Sequence, residues 1–267
     1  MSFDLFVGID YSGAETPDSP LRGLQVFAAG AGQEPKAIHN SDGAHGNCGS
    51  WSRRAVAKWL IECVASGQKL LVGIDHAFSF PKSYLDRNHI SSWPQFLDDF
   101  CERRAREDAL CPQEPAINSS RCSGSGRLYD WQHGSSEELR LCECWTSGSK
   151  GVFQFDMHGS NAIATHAGIP WLRHVREQAQ SLIHVWPFDG WQLPHDRRSV
   201  IVEVCAPMLR KRYPRAARTA DEHDAYAVAR WLREAVARGA IERYLNPPLT
   251  VEERELAALE GWIFGVS

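Results

Sequence analysis

The chain has 267 residues, 43% hydrophobic and 23% charged, with a formal charge of −4. That is the make-up of a globular domain large enough to bury its core without disulfide staples, and its mild acidity excludes global steering toward nucleic acid while leaving a local basic patch open. No apolar run approaches the roughly 20 residues of a membrane span, the N-terminus carries no basic-then-apolar leader, and the eight cysteines read as reduced thiols, so a cytoplasmic location with no membrane partner is expected.

Residues 4–10 predict a strand ending at Asp10, residues 23–29 a second strand and residues 35–39 a weaker third. The stretches between them are rich in Gly, Pro and Asp, which suits hairpins. Ser50 precedes helical spacing at Val56, Leu60, Cys63 and Val64, and Gly67 is placed to end that helix. Lys69–Asp75 is apolar between its ends, as in a strand covered on both faces. Three strands, a helix and a strand describe an antiparallel meander followed by a crossover to a parallel neighbour.

Residues 82–180 change character, with Pro, Ser and Gly clusters and five of the eight cysteines. Trp93–Arg106 has helical spacing, residues 118–126 form an exposed loop, and Ser160–Arg176 is a helix interrupted at Ala-Gly-Ile-Pro. With no clean linker on either side, this region is expected to be an elaboration beside the site within a single domain spanning residues 1–267. Cys142 and Cys144, with Cys101, Cys111, Cys122 and His133, lack the Cys-x-x-Cys spacing of a zinc site and read better as separate thiols. Residues 182–188 and 199–205 predict two more strands, with the turn signal Pro-Phe-Asp-Gly between them. Asp221–Arg238 is an amphipathic helix stopped by Gly239, and Thr250-Val251-Glu252-Glu253 is a capping box opening a last helix through Leu256 and Leu259.

Four acidic motifs lie on this framework: Gly-Ile-Asp10, Gly-Ile-Asp75, Val-Glu203-Val, and Asp221-Glu222-His223-Asp224-Ala225. A carboxylate at the end of a buried apolar run needs a partner, and several carboxylates brought together are relieved by a divalent cation. Asp221 and Asp224, three apart, share a helix face. Ala225, Ala227 and Ala229 would let that helix approach a sheet closely and bring the two acids to the strand ends.

The ordered set resembles the family called domain of unknown function 429, regarded as predicted ribonuclease H-like nucleases, across nearly the whole chain apart from residues 82–150. The late Asp-x-x-Asp-Ala helix also resembles the closing motif of RuvC-type Holliday-junction resolvases. The resemblance implies an α/β fold: a ribonuclease H-like mixed sheet of five strands or slightly more, flanked by helices, with a long insertion after the fourth strand. It implies two-metal phosphodiester hydrolysis with Mg²⁺ or Mn²⁺ and a nucleic-acid partner. Asp10 would bridge the ions, Asp75 and Asp224 would complete the metal set, and Asp221 or Glu203 would give outer support.

Ser12, Lys150, His166 and Arg173 are the residues expected to meet the substrate, with His158 and an anion-binding helix end at Ser160 beside them. His76 and His223, next to site acids, are candidate proton carriers that read first as packing residues. Arg210-Lys211-Arg212-Tyr213-Pro214-Arg215 is the one basic run; it just precedes the Asp221 helix, where a polyanion could approach, and reads first as a solvated loop. Two other classes stay open. One is an actin-like or sugar-kinase phosphoryl transferase, for which Asp10-Tyr11-Ser12-Gly13 resembles the first phosphate loop. The other is a non-catalytic binding module on the same core.

Overall fold

A computed structural model of the chain describes residues 2–13, 16–40, 49–110, 134–146, 150–155, 161–194 and 196–267. Its centre is a mixed six-stranded sheet in the order β3-β2-β1-β4-β6-β5, formed by β1 (Leu5–Asp10), β2 (Gln25–Ala29), β3 (Lys36–Ala37), β4 (Leu70–Asp75), β5 (Ile183–Trp186) and β6 (Ser199–Glu203). The β1–β2–β3 meander is antiparallel, whereas β1, β4, β6 and β5 run parallel. The α/β class and the order of the first five elements are as the patterning predicts. Pro187-Phe188-Asp189-Gly190 does turn the chain, with the Asp189 carboxylate accepting from the Val185 N–H at 2.8 Å. It does not make a hairpin, because β5 and β6 are parallel and residues 187–198 must return to the start of the sheet.

Nine helices flank the sheet among the described residues: α1 (Arg53–Ala65), α2 (Lys82–Arg87), α3 (Trp93–Leu110), α4 (Leu141–Cys144), α5 (Ala162–Ala179), α6 (Ala206–Leu209), α7 (Ala220–Ala237), α8 (Ile241–Leu245) and α9 (Val251–Glu260). The cap of α1 is Ser52, whose hydroxyl accepts from the Ala55 N–H at 3.2 Å, two residues beyond Ser50. Thr250 and Glu253 form the capping box of α9 as their spacing predicts, and Thr219 with Glu222 does the same for α7. The predicted break at Ala-Gly-Ile-Pro is absent. Helix α5 continues through Pro170, a residue that removes one ladder hydrogen bond. Burial of Ile169, Leu172 and Val175 holds the helix on the sheet there.

Alternation along the strands sends side chains to two separate layers. Val7, Ile9, Val72, Ile74 and Ile201 face α1 and α5, packing with Val56, Leu60, Leu172 and Val175. Phe6, Leu71, Val200 and Val202 face the opposite way, toward Val228, Trp231 and Leu232 of α7. Each such buried side chain stabilises the fold by about 1.5–3 kcal/mol before the ordering entropy is counted. Because α5 closes one of these layers, residues 82–180 are only partly an elaboration, and their last helix belongs to the core.

The glycines of the two Gly-Ile-Asp motifs explain how α7 sits. A Cβ on Gly8 would lie 2.1 Å from the Ala225 carbonyl oxygen and 2.6 Å from the Ala229 nitrogen, and one on Gly73 would lie 2.7 Å from Val228 Cγ1. At Gly8 helix backbone therefore meets strand backbone with no side chain between, an approach that small residues on both surfaces permit, while at Gly73 the Val228 side chain fills the space. This contact carries the first turn of α7 over the ends of β1 and β4.

Candidate metal centre

The register of β1 on β4 pairs Gly8 with Gly73, Ile9 with Ile74 and Asp10 with Asp75. The two aspartates thus leave the sheet side by side on the α7 face, two residues beyond the glycines. Asp224 comes down onto them from α7, placed there by the contact of Ala225 on Gly8. Ligand oxygens of Asp10, Asp75 and Asp224 lie within 4.8 Å of one another, and among the described residues no other group of His, Cys, Asp or Glu does this. Two oxygens on opposite sides of one Mg²⁺ are about 4.2 Å apart, so this spacing suits a single small cation with oxygen ligands. The donor set is all carboxylate, which favours Mg²⁺ or Mn²⁺ over zinc or copper.

Hydrogen bonds satisfy the three acids unequally. Asp75 Oδ1 accepts from Asn161 Nδ2 at 3.0 Å and from the Ala206 N–H at 3.3 Å. Asp224 Oδ2 faces Arg210 Nη2 at 2.9 Å. Asp224 Oδ1 is buried and has no hydrogen-bond partner among the described residues, although the residue is only 6% exposed. A buried carboxylate oxygen without a partner is costly and calls for a ligand.

Burial is the main reason that Asp10 is pushed up to about 9, with the charges of Asp75, Asp224 and Asp221 adding to it and Arg210 opposing. Asp75 is raised to about 7, again first by burial, while the Ala206 N–H and Asn161 hold it down. Asp224 and Asp221 are raised in the same way, with Arg210 as the strongest counterweight for each. Groups that share a site and resist ionisation together are the pattern a divalent cation reverses.

Asp221 stands outside the triad but close enough to raise Asp10. A Cβ on Gly23 would lie 3.5 Å from both Asp221 Oδ2 and Ser12 Oγ, which puts Ser12 at the Asp221 edge of the site. At Gly13 the turn after β1 is packed on α5, where a Cβ would lie 2.2 Å from the Ile163 carbonyl oxygen.

Glu203 is not part of this site. It pairs in register with Ile74 and not with Asp75, so its side chain leaves the opposite face of the sheet. There it is 3% exposed, accepts from the Phe78 N–H at 3.0 Å, and binds both terminal nitrogens of Arg140 at 2.9 and 2.5 Å. Arg140 also donates to Glu143 at 2.9 Å and to the Glu260 carbonyl at 3.2 Å. Glu203 is therefore the anchor of a buried ionic clasp that fastens residues 134–146 and the end of α9 to the sheet.

Two of the expected substrate residues are also corrected. His166 is fully buried among Phe80, Phe100 and Phe155, with Nε2 3.3 Å from the Val152 carbonyl, and has no access to a substrate. Arg173 ties α5 to α3 through Asp98 at 2.9 Å and pairs along its own helix with Glu177. Lys150 is half-buried beside Gly151, where a Cβ would lie 2.9 Å from the Glu138 carbonyl oxygen, and does not join the triad. His158, Ser160, Cys111, Cys122, His133 and the 118–126 loop lie outside the described residues. Cys101, Cys142 and Cys144 form no metal-ligating group among the described residues.

Both histidines prove to be packing residues. The His76 ring sits between Tyr11 and Phe78 with Nδ1 2.8 Å from the Ala77 carbonyl, and burial lowers it to about 4. His223 Nε2 meets the Arg210 carbonyl at 2.9 Å. The patterning missed Asn161 and Arg210. The basic run around Arg210, just ahead of the acidic helix, was the available signal for the second; nothing local marks Asn161. No family model, curated protein or solved structure matches the chain. No helix among the described residues is long and apolar enough to cross a membrane.

Proposed function

We propose that the protein is a Mg²⁺- or Mn²⁺-dependent hydrolase of phosphodiester bonds, built on a ribonuclease H-like core and akin to the domain of unknown function 429 family. The observation that carries the reading is the convergence of Asp10, Asp75 and Asp224 with one oxygen of Asp224 buried and unsatisfied. The strand order β3-β2-β1-β4 with the acids on β1, β4 and a late helix supports the ribonuclease H-like part.

Asp10, Asp75 and Asp224 would hold the cation, and Asp221 with Ser12 would face whatever lies at the open edge. A bound divalent cation supplies Lewis acidity at the phosphoryl oxygen and a water acidic enough to deliver hydroxide near neutral pH. The chain's own part is to keep three carboxylates in place through β-sheet register, to orient Asp75 through Asn161 and the Ala206 N–H, and to present Arg210 to negative charge. The packed turn at Gly13 argues against the actin-like or sugar-kinase reading, which needs that loop open around a phosphate.

Isothermal titration with Mn²⁺, followed by cleavage assays on DNA, RNA and a bis-aryl phosphodiester, tests the reading. Mn²⁺ binding that Asp10→Asn weakens, with cleavage lost in parallel, is the expected result. Absence of divalent-ion binding to the intact protein rejects it, and binding without cleavage of any of the three substrates favours a non-catalytic module.

A further inference from the structure

Arg210 opens a tight 3-10 turn, Arg210–Arg212, directly after α6. Its Nη2 lies 2.9 Å from Asp224 Oδ2, yet its side chain is 42% exposed. Only the arginine side of the pair meets water, since the Asp224 side chain is 9% exposed; the buried carboxylate needs a positive partner at this oxygen, and a metal ion can take the guanidinium's place. Its Nε is buried with no hydrogen-bond partner among the described residues. The backbone of Arg210 is fixed by contrast, through its carbonyl on His223 of α7. The guanidinium is thus the movable part of a fixed turn, at the rim of the carboxylate cluster.

The chain segment that carries Arg210 is basic. Residues 204–220 contain no acid and five basic residues, namely Arg210, Lys211, Arg212, Arg215 and Arg218. Arg218 stacks 3.6 Å over the Tyr226 ring and donates to the Pro214 carbonyl at 2.7 Å, while Arg215 donates to the Arg218 carbonyl at 2.8 Å. The loop after the turn is therefore held in shape, with Arg215 exposed and Arg218 half-buried, and Arg215 is near enough to stabilise the Asp224 carboxylate. Beside the turn lies a hollow of about 370 Å³ lined by Arg212, Tyr213, Arg230, Arg238 and Tyr244, with Glu234 among them pairing with Arg230 at 3.0 Å and Arg238 at 3.2 Å, so that Arg212 and the 73%-exposed Arg238 are its outermost charges. That volume falls in the ~300–1,000 Å³ range of ligand pockets, and it combines guanidinium groups with aromatic rings, as single-strand grooves do.

We infer that Arg210 is an exchangeable phosphate ligand. It neutralises Asp224 while the carboxylates hold no cation, and it turns to the phosphodiester of a nucleic-acid strand once a cation occupies Asp224, the strand continuing over Arg212 into the hollow. The inference rests on the hydrolase reading and adds to it a phosphate-binding residue and the edge along which a strand would lie. A planar, permanently charged fork suits both partners, since carboxylate and phosphate offer the same pair of oxygens.

The test compares wild type with Arg210→Gln, Arg210→Lys and the double variant Arg212→Gln/Arg238→Gln, after confirming unchanged melting temperatures. Mn²⁺ titration and fluorescence anisotropy are both read, the latter with labelled DNA and RNA strands of about twelve nucleotides in Ca²⁺. The expected result is that R210Q binds Mn²⁺ at least as tightly as wild type, because the competing cation is gone, and binds the strand about tenfold more weakly. R210K recovers part of the loss. The double variant also weakens strand binding and flattens its salt dependence by about 0.7 per charge removed. Unchanged strand affinity in R210Q, or lost Mn²⁺ affinity at unchanged melting temperature, overturns the inference alone. A wild-type protein that takes no Mn²⁺ overturns the hydrolase reading and the inference with it.

Discussion

Asp10 and Asp75 are register partners across β1 and β4, two residues beyond the paired glycines on which α7 rests. Metal ligation and helix packing are therefore coupled. Gly8→Ala would push the new methyl into the α7 backbone at Ala225 and Ala229, where nothing flexible can yield. It should cost at least ~1–3 kcal/mol and lift Asp224 away from the other acids. Gly73→Ala meets mainly the Val228 side chain and should cost less. Urea denaturation with Mn²⁺ titration of both variants checks this ordering.

The three triad acids should separate from Asp221 in metal binding. Asp10→Asn, Asp75→Asn and Asp224→Asn each remove an oxygen ligand and should weaken Mn²⁺ by at least about tenfold, while Asp221→Asn, outside the triad, should weaken it less. Asp10→Asn also removes a carboxyl group that must take up a proton to fold near neutral pH, since its value rises from 3.8 to about 9. Without metal it should be more stable than wild type near neutral pH by ~1 kcal/mol or more, a rise in melting temperature of about 2–4 °C.

Metal-free protein should lose stability as pH rises above neutrality. Asp10 and Asp75 keep their protons to about 9 and about 7 in the fold, against 3.8 unfolded. Between those values the folded chain binds more protons, so stability falls with pH, by at most ~1.4 kcal/mol per pH unit for each group. His76, lowered to about 4 from 6.5, works the other way but only below 6.5. From 6.5 to 9 the aspartates act unopposed. Calorimetry in EDTA across that window should show a falling melting temperature, flattened in Asp10→Asn and restored by Mn²⁺ in wild type.

Glu203 and Arg140 should behave as structure and not as chemistry. Glu203→Gln leaves Arg140 buried beside a neutral amide and should cost about 3–5 kcal/mol without changing Mn²⁺ affinity. Arg140→Met alone strands the Glu203 charge and should cost as much, whereas the double variant Glu203→Gln/Arg140→Met should recover part of the loss. A loss of Mn²⁺ binding in Glu203→Gln at full stability would return Glu203 to the site.

What was legible in the chain was local. Asp10 and Asp75 close apolar runs in matching Gly-Ile-Asp motifs, and Asp221 and Asp224 share one face near the start of a helix followed by small residues. Such patterns follow from the two-residue period of strands and the 3.6-residue period of helices, which hold wherever the element sits. Glu203 was misplaced because β6 is apolar on both faces, so its alternation names no side. His166 looked polar in isolation, but its neighbours Ala164, Ala167 and Ile169 all pack into the core.

Only the tertiary structure decided which charges meet. Pairing Asp10 with Asp75 needed the β1–β4 register, excluding Glu203 needed its register with Ile74 and a guanidinium 63 residues away, and placing Arg210 on Asp224 needed the turn after α6 to fold back on α7. Electrostatic partners are chosen by distance in space, and no spacing within one element encodes it.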